Sequence, residues 1–247
     1  SVVPDENEDS TYRDLSSRGA VDGVILHAPR LNDPRIALLH DIGIPFVVHG
    51  RATGTALPYS WVDVNNRRAF QRATEFLLDL GHSRIGLVNG LEFMDFAIRR
   101  RTGFTDALAA RGLTPDPALL ASDEMTEISG YRAARKMLHG AAPPTAFLVA
   151  SMISGMGVRR AIEEQGLQMG ADVSVIIHDD DLSYMKNGED VPIFTATRSS
   201  VREAGRLAAD LLLGIIAHPE TAPETRLLEA ELIIGQSTGP APRTGCP

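Results

Sequence analysis

Residues 60–90 carry the clearest pattern of apolar and polar positions in the chain. Between residues 67 and 80 an apolar face recurs at intervals of three and four, which predicts an amphipathic helix. The residues on that face are Phe70, Ala73, Thr74, Leu77 and Leu78. Gly81 follows as the expected C-cap. After a polar turn, the apolar run at residues 85–88 is typical of a strand buried on both faces of a parallel sheet.

The same alternation of strand and helix runs along most of the chain. The predicted strands cover residues 21–26, 44–48, 85–88, 146–150 and 173–177. The predicted helices cover residues 12–17, 36–41, 67–80, 130–138 and 155–165, with one more ending at Gly112 and another after Thr197. Residues 5–9 and 51–59 are predicted as loops. Such alternation indicates an α/β fold whose parallel sheets are flanked by helices on both faces.

The composition is that of a globular protein, with 43% hydrophobic and 23% charged residues. At 247 residues the chain is long enough for two lobes or for one large α/β domain. No apolar run reaches the roughly 18 residues of a membrane helix, so no membrane partner is expected. The formal charge of −8 argues against a direct grip on a nucleic-acid backbone, because such affinity comes largely from clustered Lys and Arg.

The two ends of the sequence carry separate expectations. Residues 1–4 read like the end of a strand, with no initiator Met and no signal-peptide pattern, so N-terminal material is expected to be missing. The single cysteine, Cys246, lies in a tail rich in Pro and Gly and has no partner for an internal disulfide. A reducing, cytoplasmic location is therefore expected.

Polar residues stand directly after several predicted strands, where open α/β sheets bind their ligands. They are His27, His49 with Gly50, Asn89, Ser151 with Met152, and residues 178–181. Consecutive residues of an extended chain point in opposite directions, so residues 178–181 are not expected to form a metal site. No motif of a nucleophile elbow, P-loop, zinc protease or Cys-x-x-Cys site occurs, so neither catalysis nor a cofactor is expected. His82, in a helix-to-strand turn, is expected to be structural.

Nine segments stand in the same order as in one known family. They are VDGVIL (21–26), IPFVVHGR (44–51), VDVNNRRAFQRATEFLLDLGHSRIGLV (62–88), RRRTGF (99–104), SGYRAA (129–134), PPTAFLVAS (143–151), ADVSVIIHDD (171–180), the run after Phe194, and LIIGQSTGP (232–240). Together they resemble the effector-binding core of the lactose-repressor family of bacterial transcription regulators, whose fold is that of type I periplasmic sugar-binding proteins. The family's N-terminal helix-turn-helix, its hinge helix, and the first strand and helix of its core have no counterpart here.

The resemblance implies two lobes joined by a three-strand hinge. Its crossings are expected near Val62, near residues 197–200 and near Glu229. The N-terminal lobe would comprise residues 1–61 and 200–228, the C-terminal lobe residues 62–199 and 229–240, and the tail residues 241–247. A sugar bound between the lobes would favour their closure, and closure would change operator binding by the missing helix-turn-helix. A homodimer is also implied, with Leu38, Leu39 and Ile42 as candidate contacts.

Six residues match effector-binding positions of the family. They are Arg100, Asp179, Phe96, Ser151, Met125 and His49. The guanidinium of Arg100 suits adjacent sugar hydroxyls or a carboxylate, and Asp179 would accept hydrogen bonds from ligand hydroxyls. On spacing alone, residues 99–101 would instead be a solvated charged turn, while Phe96 and Met125 would be core residues.

Three positions depart from the family pattern and bear on the ligand. Met125 stands where relatives often carry an aromatic residue, and Ser151 stands where many carry Asn. Gly50 replaces a common Asp, which leaves His49 as the nearest polar group. The segment IPFVVHGR with Ser151 and Met152 resembles the α-glucoside branch of the family, so the expected effector is an α-glucoside or another disaccharide.

The resemblance therefore implies a sugar-responsive transcription regulator, with repression as the preferred mode of action. Two other classes share the fold. A secreted type I sugar-binding protein of an ABC transporter would carry a signal peptide upstream, whereas a regulator would carry a helix-turn-helix and a basic hinge. An enzyme would turn over its sugar rather than bind it reversibly.

Overall fold

The computed structural model describes residues 8–242, and the predicted strand end at residues 1–4, the start of the acidic loop and Cys246 lie outside them. The helices of the described part are α1 (Glu8–Ser17), α2 (Pro34–Ile42), α3 (Asn66–Asp79), α4 (Asp95–Ala110), α5 (Glu127–Leu138), α6 (Met152–Glu164) and α7 (Val201–Ala217). Its strands are β1 (Val24–His27), β2 (Phe46–His49), β3 (Ser60–Val64), β4 (Ile85–Asn89), β5 (Leu120–Ser122), β6 (Ala146–Val149), β7 (Ser174–Asp179), β8 (Thr195–Arg198), β9 (Thr225–Leu228) and β10 (Glu231–Ile233).

The chain folds into two compact units. The first comprises the described residues up to Val64, Phe93–Phe96 and Arg202–Leu228. The second comprises Asn65–Glu92, Ala97–Val201 and the described residues from Glu229 onward. No helix within residues 8–242 combines the length and the apolar composition needed to cross a bilayer.

The first unit contains a four-stranded sheet in the order β1-β2-β3-β9, and every neighbouring pair is parallel. Side chains of α1 and α2, among them Tyr12, Ile36 and Leu39, form a buried cluster with Leu26 and Val48. A second cluster joins the sheet to α7 through Val47, Val62, Ala204 and Ala208. Because successive strand residues point to opposite faces, these clusters lie on the two faces of the sheet.

The second unit contains a six-stranded sheet in the order β10-β8-β7-β6-β4-β5. All pairs are parallel except β10 with β8, which is antiparallel. Buried residues of α5 and α6, including Met137 and Ile162, pack with Phe147, Val175 and Ile177 of the sheet. The predicted α/β class with parallel sheets flanked by helices is confirmed.

Helix α3 and strand β4 form where the sequence pattern was clearest. The side chain of Asn65 caps the helix by accepting the backbone N–H of Arg68 at 3.3 Å. Gly81 adopts φ +92°, a left-handed conformation that favours glycine and ends the helix. All five residues of β4 are buried, as an uninterrupted apolar strand requires.

Several boundaries differ from the predictions because distant or capping contacts decide them. Helix α1 begins at Glu8, inside the predicted loop, where the Glu8 carboxylate pairs with Arg35 of α2. Helix α6 begins three residues early, because the Ser151 hydroxyl caps it by accepting the Ser154 N–H. Strands β3, β5, β8, β9 and β10 were not among the predicted strands, and β7 extends to Asp179 rather than stopping at Ile177.

Two predicted surfaces are also corrected. Leu38 and Leu39 are buried in the core of the first unit, so they are not available as contacts between subunits. On α7 the buried positions are Ala204 and Ala208, whereas Gly205 and Leu213, predicted on the same packing face, are exposed. The apolar spacing thus located the helix correctly, but the predicted buried face was wider than the observed one.

Candidate functional site

Polar groups gather at the carboxyl edge of the sheet in the second unit. Strand β7 ends at Asp179, which is 2% exposed and pairs in register with Arg198 at the end of β8. On the other side of β7, strand β6 ends at Val149 and leads through Ala150 into Ser151, the N-cap of α6. Because parallel strands place their carboxyl ends at one edge, these groups share the edge where such sheets bind ligands.

Arg100 reaches this edge from α4 and is 6% exposed. Its Nε–H donates to Oδ1 of Asn66 at 2.7 Å, and its Nη1 donates to the backbone oxygen of Ala150 at 2.8 Å. The guanidinium carbon lies 5.1 Å from the centroid of the Phe70 ring, within the range of a cation–π contact. Arg100 is therefore a buried cation with specific hydrogen-bond partners, not part of a solvated turn.

The two carboxylate oxygens of Asp179 differ in their hydrogen bonding. Oδ1 accepts the backbone N–H of Asp181 at 2.9 Å. Oδ2 is buried and has no hydrogen bond within the described part of the chain, and Arg198 Nε stands 3.5 Å away without a hydrogen bond of its own. This oxygen thus makes an ion pair but no hydrogen bond, which is rare for a buried carboxylate oxygen, and a ligand hydroxyl would supply the hydrogen bond.

Ser151 and Met125 both lie at the start of a helix in the second unit. The Ser151 hydroxyl accepts the Ser154 N–H at 3.1 Å and donates to Ser154 Oγ at 3.2 Å, so it serves the helix start. Met125 is 37% exposed and precedes Thr126, which caps α5. Ligand contacts by Ser151 and Met125 stay predictions.

Phe96 and His49 belong to the first unit. Phe96 lies in the first turn of α4 and is partly buried. His49 ends β2, and its ring stacks on that of His27 with centroids 4.8 Å apart and Nδ1 atoms 2.8 Å apart. The structure therefore brings Arg100, Ser151 and Asp179 together within one unit and places Phe96 and His49 in the other.

His178 is buried directly before Asp179 and points to the opposite side of the strand. Its ring nitrogens contact Thr197 Oγ1 at 2.9 Å and Ser199 Oγ at 3.3 Å. Burial, and then the positive charge of Arg100, lower the pKa of His178, against a smaller opposing effect of Asp180. Within residues 8–242 no three His, Cys, Asp or Glu side chains are arranged to hold a metal ion.

His82 has the contacts of a structural residue, as predicted. Its ring bridges Thr145 Oγ1 and Ser174 Oγ, each at 2.9 Å, and the backbone oxygen of Gly239 at 3.1 Å. Burial lowers the pKa of His82, although the hydrogen bond that its ring donates to the Gly239 backbone oxygen acts in the opposite direction. The prediction was that His82 would bind a carbonyl oxygen of its own turn. The carbonyl that it binds is instead that of Gly239, in the C-terminal segment.

Both buried histidines make stability depend on pH. Their folded-state pKa values lie below the ordinary value of about 6.5, so the unfolded chain binds more protons as pH falls past that value. We expect the free energy of unfolding to be constant near pH 7.5 and to fall below pH 6.5, by up to about 1.4 kcal/mol per pH unit for each histidine. Urea denaturation at pH 7.5 and 5.5 measures this, with His82→Gln expected to lessen the fall. Equal stability at the two pH values would contradict the expectation.

Sequence reasoning missed Asn66, Phe70 and Arg198 as members of this site. The apolar spacing marked Phe70 only as a core position, and Asn66 carried no signal in the helix pattern. Arg198 ends β8, a strand that was not predicted, so Arg198 was not among the residues expected at strand ends. Recognising the end of β8 was the one available signal.

Known proteins are similar to most of this chain. Residues 74–238 match a family described as a periplasmic binding protein-like domain. The chain is 47% identical over 238 residues to the HTH-type transcriptional regulator AglR of Rhizobium meliloti (strain 1021), which covers 96% of this chain and 67% of that protein. The chain thus spans about two thirds of the length of this curated relative.

Solved structures are similar over nearly the whole chain. The transcriptional regulator CelR in complex with cellobiose is 30% identical with a TM-score of 0.84, over 94% of this chain and 70% of that one. A regulatory protein of the LacI family from Chloroflexus aggregans is 29% identical with a TM-score of 0.82, over 96% of this chain and 84% of that one.

Proposed function

Since this chain belongs to the lactose-repressor (LacI) family of transcriptional regulators, as an effector-binding core of that family, we propose that it binds a small sugar and thereby changes the affinity of the whole regulator for operator DNA. Operator binding is assigned to parts of the regulator outside this chain, in keeping with the net charge of −8. The two compact units are proposed to be the two lobes of the family, and the site of action is the cytoplasm.

The observation that carries the proposal is that two buried charged residues belong to the carboxyl edge of one sheet: Asp179 ends β7, and Arg100 donates to Ala150 directly after β6. A sugar hydroxyl both donates and accepts hydrogen bonds. Oδ2 of Asp179, which makes an ion pair with Arg198 but no hydrogen bond, accepts from such a hydroxyl, and the Arg100 cation donates to one. Hydrogen bonds to charged groups are stronger than neutral ones, so both residues are expected to contribute strongly to affinity.

The proposed effector is a disaccharide, with an α-glucoside as the first choice. A disaccharide is supported by the cellobiose in the complex of CelR, which shares this fold. The α-glucoside assignment rests on the resemblance of residues 44–51, together with Ser151 and Met152, to that branch of the family.

The proposed action is reversible regulation, most simply repression by a homodimer. An effector that changes operator affinity by several-fold to a hundredfold corresponds to a coupling free energy of about 1–3 kcal/mol. The relatives found here are transcription regulators, which supports binding without catalysis. They offer no support for the alternative of a transport protein.

Calorimetric titration of maltose, sucrose and cellobiose tests this function. Arg100→Ala is expected to weaken the binding of the preferred sugar by about ten- to a hundredfold, because a charge-assisted hydrogen bond is lost. The matched control is Arg101→Ala, the next residue, whose half-exposed side chain pairs with Glu92. The control should bind as wild type does.

Two results would count against the proposal in different ways. Full affinity in Arg100→Ala, with a normal unfolding curve, would remove Arg100 from the site. Absence of binding by any mono- or disaccharide to the wild-type chain would remove the sugar-effector function itself.

A further inference from the structure

Arg198 and Asp179 lie side by side at the carboxyl edge of the six-stranded sheet. They are partners in register at the ends of β8 and β7, and both belong to the second unit. Arg198 Nε lies 3.5 Å from Asp179 Oδ2, which is close enough for an ion pair. Both atoms are buried, and neither has a hydrogen bond to any residue that the structure describes. The pair thus combines a buried donor and a buried acceptor that do not bond to each other.

A hydroxyl group is the chemical group that suits such a pair. The distance of 3.5 Å is longer than the roughly 2.7–3.2 Å of an N–H···O hydrogen bond, so the ion pair alone leaves both groups unsatisfied. A hydroxyl can accept from the Arg198 Nε–H and donate to Asp179 Oδ2 at the same time. An ammonium group only donates, and a carboxylate or an ether oxygen only accepts.

The turn after β7 holds both members of the pair. Asp179 Oδ1 accepts the backbone N–H of Asp181 at 2.9 Å, so the carboxylate cannot rotate freely. Asp181 adopts φ +53°, a left-handed conformation that is uncommon outside glycine. Its carboxylate lies 3.5 Å from Arg198 Nη2. Arg198 therefore lies between two carboxylates, and the uncommon backbone conformation is of the kind that clusters at ligand sites.

Arg198 differs in this respect from an arginine of similar exposure on α6. The side chain of Arg159 is 44% exposed, and its Nε donates to Glu163 Oε1 at 2.7 Å. The side chain of Arg198 is 39% exposed, yet its Nε has only the longer ion pair with Asp179. Arg159 has thus completed its hydrogen bond with the nearest carboxylate, whereas Arg198 has not.

We propose that Arg198 is a ligand-contacting residue, and that its Nε–H and Asp179 Oδ2 together bind one sugar hydroxyl. The hydroxyl accepts from Arg198 and donates to Asp179. The inference rests on the proposed function and adds a source of specificity to it. A sugar without a hydroxyl at this position leaves two buried polar groups unpaired, so the site rejects it.

The first test compares sugars that differ by one hydroxyl. Calorimetric titration uses maltose and cellobiose, each with its set of monodeoxy derivatives. For the sugar that binds wild type, at least one monodeoxy derivative is expected to bind about ten- to a hundredfold more weakly, because its absent hydroxyl leaves Arg198 Nε and Asp179 Oδ2 without a hydrogen bond.

The second test identifies which hydroxyl contacts Arg198. In Arg198→Met the penalty for one deoxy position is expected to be about tenfold smaller than in wild type, while the penalties at the other positions stay the same. Asp179→Asn should reduce the penalty at the same position. Its amide oxygen can still accept the Asp181 N–H, which places the amide NH₂ where Oδ2 was and leaves no acceptor for the hydroxyl.

Two further variants separate a hydrogen bond from charge and from general stability. Arg198→Lys keeps the positive charge but has a methylene group in place of Nε–H, so it should not restore the wild-type penalty. It also serves if Arg198→Met does not fold. Arg159→Met is the matched control, since Arg159 has similar exposure and an ion pair within α6. It should keep both the affinity and the full set of wild-type penalties.

Different failures have different meanings. If every monodeoxy derivative binds wild type within about threefold of the parent sugar, water alone satisfies the pair, and the inference is overturned while the proposed function stands. Wild-type penalties at every position in Arg198→Met, or their full recovery in Arg198→Lys, would overturn it as well. If wild type binds neither maltose nor cellobiose, the proposed disaccharide effector fails and the inference fails with it.

Discussion

Replacement of Arg35 by methionine is expected to lower the free energy of unfolding by about 3–5 kcal/mol. The guanidinium of Arg35 is buried and pairs with Asp33 at 2.6 Å and with Glu8 at 2.7 Å. Burial alone would raise the pKa of Asp33, but its hydrogen bonds with Arg35 and with the backbone N–H of Arg30 lower it. Without Arg35, the buried Asp33 carboxylate would lose its ion pair, and Glu8 would keep only the longer ion pair with Arg30 at 3.4 Å. Keeping a poorly paired charge away from water is costly.

The control for this variant is Arg206→Met on α7. Arg206 also pairs with two carboxylates, Glu203 and Asp210, each at 2.7 Å, but its side chain is 57% exposed. Water screens such a pair, so the urea midpoint should stay close to that of wild type. Equal losses in Arg35→Met and Arg206→Met, measured by urea denaturation at pH 7.5, would show that burial does not set the strength of the Arg35 cluster.

Gly157→Ala is expected to lower the free energy of unfolding by about 3 kcal/mol. A Cβ atom at this position would overlap the Glu127 carbonyl oxygen and would lie 2.6 Å from the Tyr131 nitrogen. Both are backbone atoms of α5, which cannot rotate away as a side chain can. Helix α6 would therefore have to separate from α5 along a closely packed interface, and their shared core would loosen.

Gly205→Ala on α7 provides the matched comparison. Gly205 also lies in a helix, but a Cβ atom there meets nothing within 4 Å. Alanine restricts the unfolded chain more than glycine does, so the free energy of unfolding of this variant should be about 0.5–1 kcal/mol higher than that of wild type. Thermal and urea unfolding of the two variants should thus shift in opposite directions. A neutral Gly157→Ala would mean that α5 and α6 are less closely packed than the structure shows.

The parts of the fold that were predicted correctly are those with strong local periodicity. Helix α3 and strand β4 were placed within a residue or two, because their apolar spacing and the glycine after the helix are local signals. Strand β3 was missed because one of its two neighbours in the sheet is β9, Thr225–Leu228, which lies more than 160 positions further along the chain. Strand β5 has only three residues at the sheet edge, too few for a pattern.

In the candidate site too, some residues could be predicted from the sequence, whereas their contacts could not. Resemblance to a family pointed to Arg100 and Asp179, and the strand-end rule pointed to Ser151 and Asp179. Neither could reveal that Asn66 accepts from Arg100, because that contact joins two helices 34 residues apart in sequence. Nor could either reveal that Oδ2 of Asp179 lacks a hydrogen bond, since that depends on all the neighbours of the buried atom.

The central claim is that a sugar binds at the carboxyl edge of the six-stranded sheet, and a crystal structure of this chain with maltose or cellobiose tests it most directly. The account predicts a sugar hydroxyl within about 3 Å of Asp179 Oδ2 and another within about 3 Å of the Arg100 guanidinium. A sugar bound with neither contact would contradict it.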